Sequence, residues 1–273
     1  MFYLLLAFFG CMTGVTAVLF GFGGGFVVVP LLYRMLTASH GSDDPIGQSA
    51  MHIAVATSTC VMIVNALIAT RKHHRAGNLI RHYLWPLGGF IGLGATVGAL
   101  AATWVSGELI RYAFIAYLAV TIVDCLFRRG FLTAPDTAIP RRFGSAEQSG
   151  GGVGIGMIAT FLGVGGSVMT VPLLRRCGLS MSHATSMANP LSLPVALAGT
   201  ATYMAMAAFA EFDLGTWFVG YVDLLAFAVL TMGSLLGIRL ATRWIGRIPD
   251  RIHARVYVGL LVLVMVMVSM CLN

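Results

Sequence analysis

The segment Gly21-Phe22-Gly23-Gly24-Gly25-Phe26-Val27-Val28-Val29-Pro30-Leu31-Leu32 returns later in the chain as Gly163-Val164-Gly165-Gly166-Ser167-Val168-Met169-Thr170-Val171-Pro172-Leu173-Leu174. The three glycines and the closing Pro-Leu-Leu coincide without a gap, and each copy follows an apolar run. Two further correspondences keep the same order: Ala56-Thr57-Ser58 with Ala184-Thr185-Ser186, and Gly94-x-x-x-Gly98 with Gly233-x-x-x-Gly237. Three ordered matches mark an internal duplication. The separation of the copies drops from 142 residues at Gly21/Gly163 to 128 at Thr57/Thr185. The first half therefore holds about 14 additional residues, assigned to the polar stretch Ala38 to Gln48.

Composition says where such a chain resides. Of its 273 residues, 58% are hydrophobic and 10% charged, against about 25% charged in soluble domains. So few charges cannot cover a soluble core. Apolar runs recur along the whole length and place the bulk of the chain in lipid. The net charge of +7 reads as membrane topology, not as a nucleic-acid partner, because basic residues beside spans set orientation. Residues 1–127 form the first membrane repeat, 128–150 a linker rich in Arg, Pro and Gly, and 151–273 the second repeat. Met1-Phe2-Tyr3 offers no basic n-region, and no small-residue cleavage site follows, so the first apolar run is expected in the mature protein. Five scattered cysteines form no CxxC pair, and HExxH, GxSxG and Walker motifs are missing. The cluster at Gly21 to Gly25 is not GxGxxG, because residue 26 is Phe. No metal, cofactor or enzymatic activity is expected, and with no ATPase motif the transport is of the secondary kind.

A span needs about 20 helical residues to cross a core of ~30 Å. Apolar segments of that length run roughly Gly47–Thr70, Tyr83–Trp104, Ile110–Phe127, Met181–Phe209, Gly215–Leu240 and His253–Leu272. The motif regions differ. Glycine clusters split Phe2–Phe20 from Gly25–Met35 and Val153–Leu162 from Ser167–Arg176, and clustered glycines break helices. If each split segment is a hairpin that enters and leaves on one side, all basic residues but Arg34 and Arg111 fall on one face. Asp43, Asp44, Glu108, Glu211 and Asp213 fall on the other. The positive-inside rule makes the basic face cytoplasmic. One hairpin plus three spans is an odd number of crossings. The expected fold is therefore all-α and polytopic, with two inverted repeats whose glycine tips meet near mid-membrane. Hairpin arms that cross fully would change the span count.

A glycine break inside the membrane frees backbone N–H groups, and is tolerated only where protein or a water-filled cavity covers it. At a half-helix N-terminus such groups suit an anion. The candidate substrate-binding residues are Gly23, Gly24 and Gly25 in the first tip and Gly165, Gly166 and Ser167 in the second. Thr57, Ser58, Thr185, Ser186 and Asn189 on the following spans add hydroxyls and an amide. The competing readings are close packing of small residues at the tips and back-bonding of the hydroxyls to helix carbonyls. Asn189-Pro190 and Pro194 are expected to interrupt a regular helix. His52 and His183, each beside a Thr-Ser element, are the candidates for a proton-linked role. No span carries a central carboxylate, which argues against a cation carrier. Trp85, Trp104, Trp217 and Trp244 lie near span ends, as interface anchors do.

Together, Gly21-x-Gly23-Gly24-Gly25-x-x-x-x-Pro30-x-Leu32, its echo from Gly163 to Leu174 and the Ala-Thr-Ser elements resemble the sulfite exporter TauE/SafE family over nearly the whole chain. The resemblance implies a multi-pass permease of the bacterial inner membrane for small sulfur-containing anions such as sulfite, sulfoacetate and related sulfonates. Carried over by position, the motif residues are Gly21, Gly23, Gly24, Gly25, Pro30, Gly163, Gly165, Gly166 and Pro172, with Thr57, Ser58, Thr185 and Ser186. The chain departs from the pattern at Ser167, which stands where the first copy has Gly25, at Ala56, where a glycine would precede Thr57, and in the insertion Ala38 to Gln48. These departures bear on the substrate more than on the fold. The expected function is secondary transport of a small anion by alternating access. The expected partners are that anion and the lipid bilayer, with no nucleic acid and a homo-oligomer left open. An anion channel, or a permease for an unrelated small solute, is the alternative.

Overall fold

The computed structural model describes residues 2–41, 44–127, 131–132, 141, 143–209 and 215–269. Asp43, Arg128, Arg129, Arg142, Glu211, Asp213 and much of the linker 128–150 lie outside the described residues. Helices α1 (Phe2–Phe20) and α2 (Gly25–Ser39) flank the first glycine break. A single turn, α3 (Pro45–Gln48), leads into α4 (Ala50–Arg75), α5 (Leu87–Thr103) and α6 (Gly107–Phe127). Helices α7 (Gly152–Phe161) and α8 (Ser167–Arg176) flank the second break. After them come α9 (Met181–Phe209), a two-residue strand pair β1 (Phe218–Val219) and β2 (Val222–Asp223), α10 (Leu224–Ala241) and α11 (Asp250–Ser269). The chain is an all-α polytopic membrane protein. Among the described residues six helical stretches are long and apolar enough to cross a bilayer: Tyr3–Phe20, Ala50–Arg75, Arg81–Thr103, Gly107–Phe127, Leu224–Trp244 and Asp250–Ser269. Their outward faces carry Leu4, Phe8, Leu93, Val97, Val120, Leu236 and Leu263, all exposed, a surface suited to acyl chains. The four tryptophans are exposed, Trp85, Trp104 and Trp244 beside helix ends and Trp217 just before β1, where an amphipathic ring meets the headgroups.

Local chemistry sets several boundaries. The apolar segment from Gly215 becomes helical only at Leu224, because Asp223 caps α10 by accepting the N–H groups of Leu225 and Ala226, each at 2.9 Å. The polar insertion ends α2 and then forms α3, whose Ile46 N–H is held by Asp44 at 3.1 Å. Asn189-Pro190 and Pro194 do not interrupt α9, contrary to the expectation from their missing N–H groups. The helix is continuous over Met181–Phe209, gripped by α4, α5 and α8, and neighbours of this kind compensate proline in membrane helices.

The two halves interleave: α1 lies on α10, α7 on α5, α4 on α9 and α6 on α11. Small residues set the first two contacts. A Cβ added to Gly10 or Gly14 would strike the backbone of Leu230 or Ser234, and one on Gly233 or Gly237 that of Ala7 or Cys11. At the second contact, Gly94 and Gly98 meet Val153 and Met157, and Gly156 meets Ile91. Such backbone approach is how helices gain van der Waals energy in lipid, where no hydrophobic force drives them together. Both contacts ascend in step, so α1 is parallel to α10 and α5 to α7. Val153 and Cys11 stand 142 residues apart, the spacing of the repeated glycines. The structural counterpart of Gly94 is therefore Gly237, one turn from the Gly94/Gly233 match read in the sequence. Helices α4 and α9 run antiparallel, with Thr200 donating to Thr59 at 3.2 Å and Ser186 facing His73 at 2.9 Å.

The bundle has two chemically distinct ends. One holds the pairs Arg175–Asp250 (2.7 Å), Arg176–Asp124 and Arg141–Glu147 (2.6 Å), and α8 ends there. At the other, Arg111 donates to Tyr33 at 3.0 Å, and α2 ends beside it. The hairpins α1–α2 and α7–α8 thus open toward opposite ends.

Candidate functional site

The two breaks meet inside the bundle. Gly21 to Gly25 and Gly163 to Ser167 are all buried. Gly24 has φ of 109°, a conformation that strains any L side chain, and a Cβ there would lie 2.5 Å from Asn65 Nδ2. Gly163, with φ of 67°, closes the second break in the same way against Val55. The tips touch: a Cβ on Gly25 would come 2.5 Å from the Gly163 oxygen, and one on Gly165 would come 3.4 Å from that of Phe22. Helices α2 and α8 both begin at this junction. Among the described residues, the first-turn N–H groups of Gly25, Phe26 and Val27, and of Ser167 and Val168, have no backbone acceptor. This is the geometry of helix N-termini without caps, here withdrawn from solvent and aimed into one small region.

Side chains complete the junction. Ser58 Oγ has Val55 O at 2.8 Å and Gly163 O at 3.2 Å as alternative acceptors for its one proton, so it touches the second tip from the first half. Ser167 Oγ folds back toward Gly165 O at 3.5 Å. Met62 lies between the tips, its sulfur 2.9 and 3.0 Å from Cβ positions built on Gly23 and Gly165. Ser192 borders the same two glycines and hydrogen-bonds Ala188 O at 2.9 Å. Phe22, Phe26 and Tyr257 stack at 4.5 and 4.8 Å to seal one side. Two buried amides have an atom without a partner among the described residues: Nδ2 of Asn65 and Oδ1 of Asn189. Asn65 Oδ1 accepts from Ser234, while Asn189 Nδ2 reaches Thr185 O at 3.4 Å. Unmade hydrogen bonds of this kind in a buried site are unfavourable and mark where a polar ligand would be satisfied.

The remaining sequence candidates separate. Gly23, Gly24, Gly25, Ser58, Gly165 and Ser167 converge on the junction. Gly166 packs on the side chains of Ile155 and Val195 and on the Leu191 carbonyl. Thr185 presents its backbone oxygen to Gly21, and its hydroxyl is back-bonded to Met181 O at 2.9 Å. Thr57 accepts the Asp223 N–H at 3.0 Å, which fixes the start of α10 away from the tips. Ser186 turns to His73. His52 hydrogen-bonds the Ala102 carbonyl at 3.3 Å, and His183 the Asn78 carbonyl at 3.1 Å. They occupy opposite ends of the bundle and neither faces the tips. Met62, Ser192 and Tyr257 escaped the sequence reading of the site, in which Asn65, a lone polar residue deep in its span, is open to either a site or a packing role. Ser192 sits seven residues beyond Thr185, and Asn65 seven beyond Ser58, one helical face in each case.

Apolar spans enclosing two buried, donor-rich breaks in the helical backbone are the build of a membrane transporter. The chain belongs to the sulfite exporter TauE/SafE family, which it matches over residues 6–268. It is 24% identical to a probable membrane transporter protein of Haemophilus influenzae over 91% of this chain and 90% of that one. Similar proteins of the same description occur in Methanocaldococcus jannaschii, at 22% identity over 86% of this chain and 85% of the relative, and in Bacillus subtilis, at 20% over 73% and 77%. No solved structure matches the chain. The protein is a multi-pass membrane transporter and not an enzyme.

Proposed function

We propose that the protein is a secondary transporter of a small oxyanion, sulfite or an organosulfonate, in a bacterial inner membrane. One observation carries the reading: two uncapped helix N-termini and an unpartnered amide N–H of Asn65 meet in one buried junction. Hydrogen-bond donors in a dry site at the positive ends of helix dipoles select for negative charge. The family name supports a sulfur oxyanion as the cargo. The hairpins open to opposite ends, and α4 crosses α9 in antiparallel fashion, which fits two inverted repeats working by alternating access. With the basic end cytoplasmic, the first hairpin enters from outside and the second from inside. Met62 packed between touching tips favours a carrier over an open channel.

Flux into liposomes is the test. Purified protein should give saturable, counterflow-capable uptake of radiolabelled sulfite or a sulfonate. Flux that never saturates would identify a channel, and no anion flux above that of empty vesicles would reject the assignment.

A further inference from the structure

The first glycine break leaves the last carbonyls of α1 short of helical partners. Gly21 and Phe22 N–H groups close back on Ala17 and Thr16 at 3.0 and 3.4 Å. The next two carbonyls are met by side chains from two other helices. His73 of α4 donates from Nε2 to Val18 O at 2.8 Å, and His253 of α11 donates from Nε2 to Leu19 O at 2.8 Å. The two residues are 2% and 5% exposed. Both line a cavity of about 10 Å³ walled by Trp244, Ile245 and Ile248 of the α10–α11 connection. That is close to the room one water needs, and it lies at the basic end.

Counting protons at His73 exposes an unmet demand. Its Nδ1 lies 2.9 Å from Ser186 Oγ, and Ser186 Oγ also lies 2.6 Å from Ser182 O. A serine hydroxyl has one proton to give. A neutral His73 must keep its ring proton on Nε2, facing a carbonyl, so Nδ1 is a bare acceptor. The Ser186 proton then serves either Nδ1 or Ser182 O, and the other contact is lone pair against lone pair. One more proton on Nδ1 completes all three contacts: Nε2–H to Val18, Nδ1–H to Ser186, and Ser186 O–H to Ser182. The charge would stand at the carbonyl end of α1, the negative pole of its dipole. The break itself does not require this arrangement. The register that pairs Thr57 with Thr185 places Ala201 where the first half has His73.

We propose that His73, with His253 beside it, binds one coupling proton, loaded from the basic end, and that the bound proton clamps the end of α1 to α9. The facing groups are few. Helix α11 contributes His253 and, one turn earlier, Asp250, which is paired with Arg175 of α8. Helix α9 contributes Ser182, Thr185 and Ser186, and α1 contributes carbonyls alone. A second proton on His253 would meet the charge of the first, so the pair holds one. The proposal deepens the transporter reading by assigning its coupling ion, and its test uses no anion, so a wrong cargo leaves it standing.

The test is hydrogen exchange across Gly14 to Pro30, with the full chain in lipid nanodiscs, corrected for intrinsic rates. The range runs from about pH 3.5 to 8.5, wide enough to cover histidine titration in proteins. Protection should fall about tenfold or more as the proton leaves, the worth of one charged hydrogen bond. The His73 imidazole ¹⁵N signals should report Nδ1 protonation over the same interval. His73→Gln keeps a neutral donor and cannot titrate, so it should give a flat profile, while His253→Gln keeps the slope. A wild-type change below about twofold, a His73 that never gains an Nδ1 proton, or a His73→Gln variant with the wild-type slope would each overturn the site. The wild-type measurements decide alone if the variants fail to fold.

Discussion

Gly154 and Gly156 lie two residues apart on α7, and alanine at either makes the same local change. Helix propensity favours alanine over glycine by about 1 kcal/mol. At Gly154 a new Cβ meets nothing within 4 Å, so only this gain applies. At Gly156 the Cβ would stand 2.8 Å from both the Ile91 carbonyl carbon and Ala95 N, and closer still to the Ile91 oxygen. These are backbone atoms of α5, which cannot swing aside as a side chain would. Helix α7 must withdraw and loosen its contacts at Gly94 and Gly98. Overpacking costs roughly 1–3 kcal/mol, and a seam of this kind belongs at the upper end of that range. After the propensity gain, Gly156→Ala should be about 1–2 kcal/mol less stable than wild type and Gly154→Ala up to about 1 kcal/mol more stable. Size-exclusion chromatography after graded heating in mild detergent would rank the two apparent midpoints on either side of wild type. Gly14→Ala, facing Ser234 and Ile238 on α10, should follow Gly156→Ala. Equal midpoints for Gly154→Ala and Gly156→Ala would refute the close approach of α5 and α7.

Leucine at Gly165, which would push into Met62 and Ser192, should abolish anion flux while the protein still inserts and purifies; retained flux would assign the tips to packing alone. Asn65→Leu removes an unpartnered buried donor but also the acceptor for Ser234, so stability should move by less than about 1 kcal/mol. Its flux should fall at least tenfold if the amide meets the substrate, and a normal KM would exclude that role. Arg175→Ala strands Asp250, which also holds the Met181 N–H at 2.6 Å. Because the Arg175 side chain is 1% exposed, the loss should approach ~3–5 kcal/mol. Arg176→Ala breaks a far more exposed pair with Asp124 and should cost under about 1 kcal/mol, so similar heat stability for the two would contradict the burial difference.

Much of the fold was legible because the features that specify it are local and repeated. Apolar run length marks spans, glycine clusters mark breaks, and each signal is confined to a short stretch of chain. The Gly94/Gly237 register was not legible, because every fourth position in these helices can present a small residue and sequence matching cannot choose between turns. Nor were the prolines of α9, whose local preference to break a helix is overridden by neighbours on three sides. At the site, glycines announce themselves by clustering, whereas Met62 and Ser192 look like any methionine and serine in an apolar helix. Thr57 and Ser58 are adjacent in sequence yet serve different contacts, one holding the Asp223 N–H ahead of α10 and the other touching Gly163, because consecutive helix positions point about 100° apart.

The differences between the two glycine motifs are informative because the rest of each motif matches in order. Where the first tip has Gly25, the second has Ser167, and the first tip faces the unpartnered Asn65 amide while Gly166 faces the side chains of Ile155 and Val195 and the Leu191 carbonyl. The carbonyls at the end of α1 are held by two histidines, but at the second break Leu162, Gly163 and Val164 N–H groups return to Ile158, Thr160 and Ala159 at 2.9 to 3.1 Å. The second hairpin thus satisfies its break largely from within, while the first depends on side chains of α4 and α11. A break held by outside partners opens when one of them changes its hydrogen bonding, and a self-satisfied break does not. If a proton and a substrate bind as proposed, the first hairpin is the element on which both would act, and the second would be the frame against which it moves.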